Sequence, residues 1–202
     1  MIPRQILERI NELKRVPRSG WLLAGIRTPE SVADHTCATA LIAMCLAEAM
    51  NQDFAAAGLA SPLDEGKVAR LALLHDFAEC VLTDLPLRAA EVLTKPVKHA
   101  AEAQVMRNIF VPVANNGTQT AQEASPPAAL ALWDEYRDTA SPEAALVHDA
   151  DKLELVFQAL SYEQQGQRNL NDYWEGLDWH YAASADLFKQ IVALREDAHT
   201  TW

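Results

Sequence analysis

The sequence predicts an all-α chain folded as a single helical bundle over residues 1–202. Three observations carry this. Apolar residues recur at helical spacing along most of the 202 residues. No segment sustains the period-two alternation of a half-buried strand. Helix-start signals combining Ser, Pro and an acidic side chain recur, as at Pro29-Glu30-Ser31, Ser61-Pro62-Leu63-Asp64 and Ser141-Pro142-Glu143. No internal repeat or strong shift in composition marks a domain boundary.

The elements follow in order. Ile6, Leu7, Ile10 and Leu13 form the apolar face of a first helix, which Pro17 must end. Residues 16–29, with Pro17, Gly20, Gly25 and Pro29, read as an extended loop. Ser31 with Asp34 three residues on opens a second helix that runs to about Met50. Residues 51–60 are a loop. A third helix starts with Pro62 at its first position and carries Val68, Leu71, Leu74 and Ala78 to about Val81, where Leu85-Pro86 stops it. Residues 88–110 read as helical, with Pro96 as a kink or start. Residues 115–127, polar and rich in Gly, Pro, Ser and Gln, read as a flexible surface loop. Helices are expected at 128–137, from Ser141 to about Glu163, and over 181–195.

Composition excludes several classes. Half the residues are apolar and 22% are charged, which rules out a disordered chain. The longest apolar run, Thr36 to Ala47, ends at Glu48, short of the roughly 18–20 residues a bilayer span needs. No membrane partner is expected. The charged N-terminal stretch lacks the apolar core of a signal peptide. Three cysteines without a CxxC pattern fit a reducing, cytoplasmic setting. A net charge of −11 argues against nucleic-acid binding. That charge is uneven: residues 1–27 hold six Lys and Arg against two Glu, and the rest hold eleven basic against twenty-six acidic residues. The positive end suits a small anion, or a basic helix terminus.

The residues that carry chemistry are histidines and carboxylates. His35 lies one turn inside the second helix, and His75-Asp76 ends an apolar run. Glu79 follows His75 by one turn on the same face. Asp84 precedes Pro86, and Asp149 and Asp151 lie on a later helix. Two imidazoles and two carboxylates make a sulfur-free site for a divalent ion of the Mn, Co, Fe, Ni, Zn or Mg group. Water on such an ion becomes a nucleophile near neutral pH. Adjacent helical residues diverge by about 100°, so His75 and Asp76 reach one ion only over the edge between their faces. Glu79 is placed to orient or deprotonate the water, or to hold a ligand histidine in its tautomer. Each residue also has a plainer reading. Lone histidines are usually structural, a second His-Asp pair occurs at His148-Asp149, and Glu79 and Asp84 could be solvated carboxylates. Trp21 is more often a core residue, and Arg18 with Lys14 and Arg15 could serve the first helix's dipole.

Five blocks then carry a resemblance: LKRVPRSGW (13–21), PESVADH (29–35), RLALLHDFAECVLTDLP (70–86), LWDEYRDTASPEAALV (132–147) and DKLELVFQALSYE (151–163). In order and spacing they resemble the HD-domain metal-dependent phosphohydrolases, in the branch containing the 5′-deoxynucleotidases. The loop at 51–66 and the segments 111–127 and 165–202 match weakly.

The resemblance implies a single HD domain whose metal ligands are His35, His75, Asp76 and Asp151. Asp151 is chosen over Asp149 by the family's D-x-x-E register. It implies that Glu79 stands by the attacking water, that Asp84 meets the sugar 3′-hydroxyl and that Arg18 binds phosphate. Trp21 corresponds to a tryptophan that helps reject ribose, although Ser19-Gly20 separate it from Arg18. The implied reaction is hydrolysis of deoxyribonucleoside 5′-monophosphates, and the implied assembly is a homodimer. Rival readings keep the fold with another nucleotide (a triphosphate, a cyclic nucleotide or (p)ppGpp), or keep the metal as a structural staple in a non-catalytic binding protein.

Overall fold

A computed structural model describes residues 4–86, 88–89, 92–111 and 127–200, with 198–200 described by backbone alone. Among these residues there is no β-strand, and the all-α expectation holds. The helices are α1 (Arg4–Leu13), α2 (Ser19–Leu23), α3 (Val32–Asn51), α4 (Glu65–Leu74), α5 (Glu79–Leu82), α6 (Lys95–Phe110), α7 (Ala128–Arg137), α8 (Pro142–Gln164) and α9 (Ala182–Thr200), with a 3₁₀ turn at Asn171–Tyr173. All but Pro127 of the predicted loop at 115–127 lies outside the described residues.

Where the sequence supplied a cap, the helix starts within a residue of its expected position. Ser31 and Asp34 cap α3 reciprocally: the Ser31 amide donates to Asp34 Oδ2 (2.9 Å) and the Asp34 amide to Ser31 Oγ (3.1 Å). Ser141 Oγ accepts from the Ala144 amide at the start of α8. Three expectations need correction. Pro62 precedes α4 rather than opening it; Asp64 is the cap and accepts from the Lys67 amide at 2.9 Å. The stretch 16–29 is not wholly a loop, because α2 forms within it. That helix closes through Ile26 N–H to Trp21 O and Gly25 N–H to Leu22 O, with Gly25 at φ +89 supplying the left-handed residue such a close requires. The third predicted helix is two: α4 stops at Leu74 and α5 resumes at Glu79. Between them the amide bonds shorten to three-residue spacing, Phe77 to Leu74 O and Glu79 to Asp76 O. His75 and Asp76 therefore lie off regular helical geometry.

α3 also departs from the expectation that nothing is long enough to span a bilayer. At 20 residues and mean hydropathy 1.2 it is sufficient by length and composition. Yet it buries His35, Thr36 and Thr39, the pattern of a core helix.

Packing divides the chain into two compact units: Met1–Asp34 with Leu74–Asp138, and His35–Leu73 with Thr139–Trp202. The first has a core of Leu13, Val16, Val32, Phe77, Met106, Ile109, Leu130 and Trp133, with α5 against α1 and α6, and α6 against α7. In the second, α8 packs on α9 and the 3₁₀ turn, and buries Leu146, Leu153, Val156 and Leu160.

Candidate active site

In the first unit the chain pins Arg18 before any long-range contact does. Pro17 and Ser31 form an isolated antiparallel bridge; the Arg18 amide donates to Glu30 O (3.0 Å) and the Val32 amide to Val16 O (2.9 Å). This clasp closes the α2 segment and fixes where the Arg18 side chain starts. Its guanidinium then reaches Asp84 Oδ1 at 3.1 Å, 66 residues on, and Asp76 Oδ2 at 3.5 Å. Asp84 also accepts from the Ser19 amide (2.5 Å) and Ser19 Oγ (2.9 Å), at the start of α2. A carboxylate has about four acceptor positions, so Asp84 keeps roughly one for a further donor. Thr83, directly before it, sits at φ +64. A β-branched residue there is strained, and the strain is stored beside a polar contact network.

His75 has a fully buried side chain, with Nε2 3.1 Å from Asp76 Oδ2 and its ring edge-on to Tyr136. Glu79, one turn on, is 4% exposed, and its Oε2 has no hydrogen-bond partner among the described residues. Burial first, then the charges of Asp76 and Asp84, hold its carboxyl well above the usual range; Arg18 and Lys98 act in the opposite sense. Trp21 is 1% exposed and its Nε1–H donates to Glu30 Oε1 at 2.8 Å. Its indole is thus buried, with its one polar atom engaged by Glu30.

In the second unit, His35 on α3 is wholly buried. Its Nε2 lies 3.1 Å from Asp151 Oδ1, and its Nδ1–H donates to Glu154 Oε2 at 2.5 Å. Asp151 and Glu154 are one turn apart on α8 and address the two nitrogens of one ring. Sequence reasoning used Glu154 only as a register mark and gave it no role. Its signal was the three-residue spacing from Asp151, which puts both on one helix face.

Asp149, the other candidate carboxylate, is taken up elsewhere. Fully buried, it accepts from the amides of His180 (3.0 Å) and Tyr181 (3.1 Å) and from His180 Nδ1–H (2.8 Å), with Lys152 at 3.2 Å. It anchors the entry to α9. Burial alone would raise its pKa, but the His180 donors and Lys152 outweigh that and lower it. His148 lies beside the His180 ring, with centroids 6.3 Å apart.

Each unit therefore offers one imidazole nitrogen and one carboxylate oxygen 3.1 Å apart. Two ligands at right angles on an ion about 2.1 Å away stand about 3 Å apart, so both pairs have the separation that metal ligation needs. Nitrogen and oxygen donors without sulfur suit a divalent ion, and the residues fit that group.

Buried His and partly exposed Asp donors on an all-α scaffold define a class. The HD domain family model matches residues 10–185, and the chain belongs to that family. Within it, the chain is similar to the protein named 5′-deoxynucleotidase HDDC2 of Homo sapiens, with 32% identity over 173 residues that cover 85% of this chain and 74% of that one. The Xenopus laevis protein of the same name is 32% identical over 194 residues, covering 94% and 82%. Among solved structures, the PH0347 protein from Pyrococcus horikoshii OT3 superposes with a TM-score of 0.73 at 32% identity, covering 96% of this chain and 98% of that one.

Proposed function

We propose that the protein hydrolyses deoxyribonucleoside 5′-monophosphates to a deoxynucleoside and inorganic phosphate, with His35, His75, Asp76 and Asp151 holding one divalent cation of the Mn, Co, Fe, Ni, Zn or Mg group. The observation that carries the reading is Arg18, a cation anchored 3.1 Å from Asp84 and 3.5 Å from Asp76, with the buried Glu79 between those two carboxylates in the chain. Likeness to proteins named 5′-deoxynucleotidase supports the substrate class.

When bound, the cation supplies positive charge at the phosphate and acidifies water. The chain's own residues do the rest. Arg18 presents a planar fork of donors to the non-bridging phosphate oxygens. Glu79 holds the attacking water at its unpartnered Oε2 and takes a proton there; burial and the charges of Asp76 and Asp84 raise its carboxyl, which makes its carboxylate a stronger base than an ordinary one. Asp84 offers its remaining acceptor position to the sugar 3′-hydroxyl. Trp21, buried three residues past Arg18, bears on sugar selection through shape. Glu154 keeps the His35 proton on Nδ1 and leaves Nε2 to the cation.

Three thiols, Cys37, Cys45 and Cys80, unpaired with one another, support a cytoplasmic setting, and the same reading takes the protein as a homodimer without nucleic-acid or membrane partners. A metal-by-substrate screen of phosphate release tests the activity. Release from dAMP, weak release from AMP and none from dATP are expected; release from dATP alone would overturn the assignment. Glu79→Ala should keep the metal and lose most turnover, and normal turnover in it would refute that residue's role.

A further inference from the structure

Ser19 gives Asp84 more than its own helix requires. Its amide, at the start of α2, donates to Asp84 Oδ2 at 2.5 Å, and an amide in that place needs an acceptor from outside the helix. Its hydroxyl donates to the same oxygen at 2.9 Å, across 65 positions of chain. That second bond answers no such need, because Ser19 is only half-buried and water satisfies a hydroxyl there. Arg18 takes the other oxygen, Oδ1, at 3.1 Å.

The count per oxygen decides what Asp84 can still do. Each carboxylate oxygen has about two acceptor positions. Among the described residues, Ser19 fills both on Oδ2 and Arg18 fills one on Oδ1. The open position therefore belongs to Oδ1, the oxygen beside the guanidinium. The backbone holds Asp84 from the other side. Thr83, at φ 64 and ψ 165, occupies a region that is essentially glycine's alone, and its exposed side chain offers little packing in return. The bonds made by the buried Asp84 offset that strain. Without the Ser19 hydroxyl, Oδ2 regains an open position, and an incoming donor can meet either oxygen.

We infer that Ser19 is a positioning residue: by filling Oδ2 of Asp84 it leaves Oδ1, beside Arg18, as the one oxygen presented to a substrate hydroxyl. The serine that separates Arg18 from Trp21 thus couples recognition of the sugar to recognition of the phosphate. The inference rests on the phosphohydrolase reading above, in which Asp84 meets the sugar 3′-hydroxyl, and assigns the residue that aims it.

The test uses the metal-loaded full chain and two substrates that differ only in that hydroxyl, dAMP and 2′,3′-dideoxy-AMP. KM, kcat and binding by calorimetry are measured for both, with inorganic phosphate as a competitive inhibitor. A hydrogen bond to a charged acceptor corresponds to about a tenfold or larger preference, so the wild type should favour dAMP by about that factor in kcat/KM. Ser19→Ala should reduce the preference to less than about a third of its wild-type value, mainly through KM for dAMP, and leave phosphate inhibition within about threefold of wild type. Ser19→Thr keeps both donors and should restore the preference. Should Ser19→Ala fail to fold, Ser19→Cys, which retains the shape with a weak donor, carries the same comparison. An unchanged preference in Ser19→Ala overturns the inference, because the serine then serves only the start of α2. A loss of phosphate inhibition as large as the rise in KM overturns it as well, since Ser19 would then act on Arg18. So does a wild type that binds the two nucleotides alike. Calorimetry keeps the two readings apart: a wild type that releases no phosphate from any nucleotide sinks the proposed reaction, while the difference in binding between the two nucleotides still decides Ser19.

Discussion

Replacing Glu154 gives the sharpest test of how the second unit is organised. His35 is wholly buried, Glu154 is 4% exposed, and the Nδ1 to Oε2 distance is 2.5 Å. A hydrogen bond to a charged partner in such surroundings contributes about 1.5–3 kcal/mol, a factor of roughly ten to a hundred and fifty in an equilibrium constant. Two effects can be separated by the choice of substitution. Glu154→Gln keeps an acceptor for Nδ1–H and so keeps the tautomer, but it removes the charge that makes Nε2 more basic. Metal affinity should fall about tenfold. Glu154→Ala also leaves a buried N–H without a partner and opens a cavity. Metal affinity should fall about a hundredfold, and the metal-free protein should lose about 2–4 kcal/mol of stability. Affinity is read by competition with a chromophoric chelator, and stability by denaturant unfolding of metal-free protein. A folded Glu154→Ala variant that binds metal at wild-type affinity would refute the role given to Glu154 and, with it, the assignment of His35 Nε2 to the cation.

Glu79 makes a pH prediction of definite sign. Its folded-state pKa is raised, by burial first, above the ordinary 4.5. The metal-free folded state therefore binds a proton that the unfolded chain has released. The associated stability is full below pH 4.5 and is lost as pH rises through the folded value, at up to about 1.4 kcal/mol per pH unit. Glu79→Gln lacks this loss: it should be more stable than wild type in neutral denaturation curves, with the gap closing toward acid, and a gap that widens toward acid would contradict the burial account. Chelation should lower thermal stability as well as activity, because one ion would join His35 to Asp151, 116 positions later. Metal held at a hundred times its Kd stabilises by about 2.7 kcal/mol, so the midpoint should drop by about 5–10 °C; an unchanged scanning-calorimetry trace after verified metal removal would count against a shared ion.

The helices legible in the sequence are those whose ends are written in local chemistry. Ser31 with Asp34, and Ser141 before Pro142, fix the starts of α3 and α8 through side-chain-to-amide bonds that involve only neighbouring residues. The misreadings arise where periodicity and backbone geometry part company. Val68, Leu71, Leu74 and Ala78 keep a helical apolar rhythm, yet the chain tightens at His75–Ala78. Burial needs only that the apolar residues face one way, and a turn of tighter spacing meets that need as well as an α-turn does. The benefit falls to the site: off regular geometry, His75 Nε2 and Asp76 Oδ2 come to 3.1 Å although adjacent helical residues diverge. α2 was missed for a different reason, since five residues are too few to display a period.

The same distinction explains which site residues could be read. His35, His75, Asp76 and Asp151 are named by residue type and family register, and each carries a donor atom that chemistry can recognise in a string of letters. Glu154 carries no such mark. A glutamate three residues past an aspartate is on its face an ordinary helix-surface pattern. What distinguishes it is what else the fold brings to it: a fully buried imidazole. The discriminating quantity is a mismatch. Glu154 is a carboxylate only 4% exposed that meets the His35 ring at 2.5 Å. Arrangements that local energetics disfavour persist when another interaction offsets them, so placement against local preference can single out residues that tune a ligand.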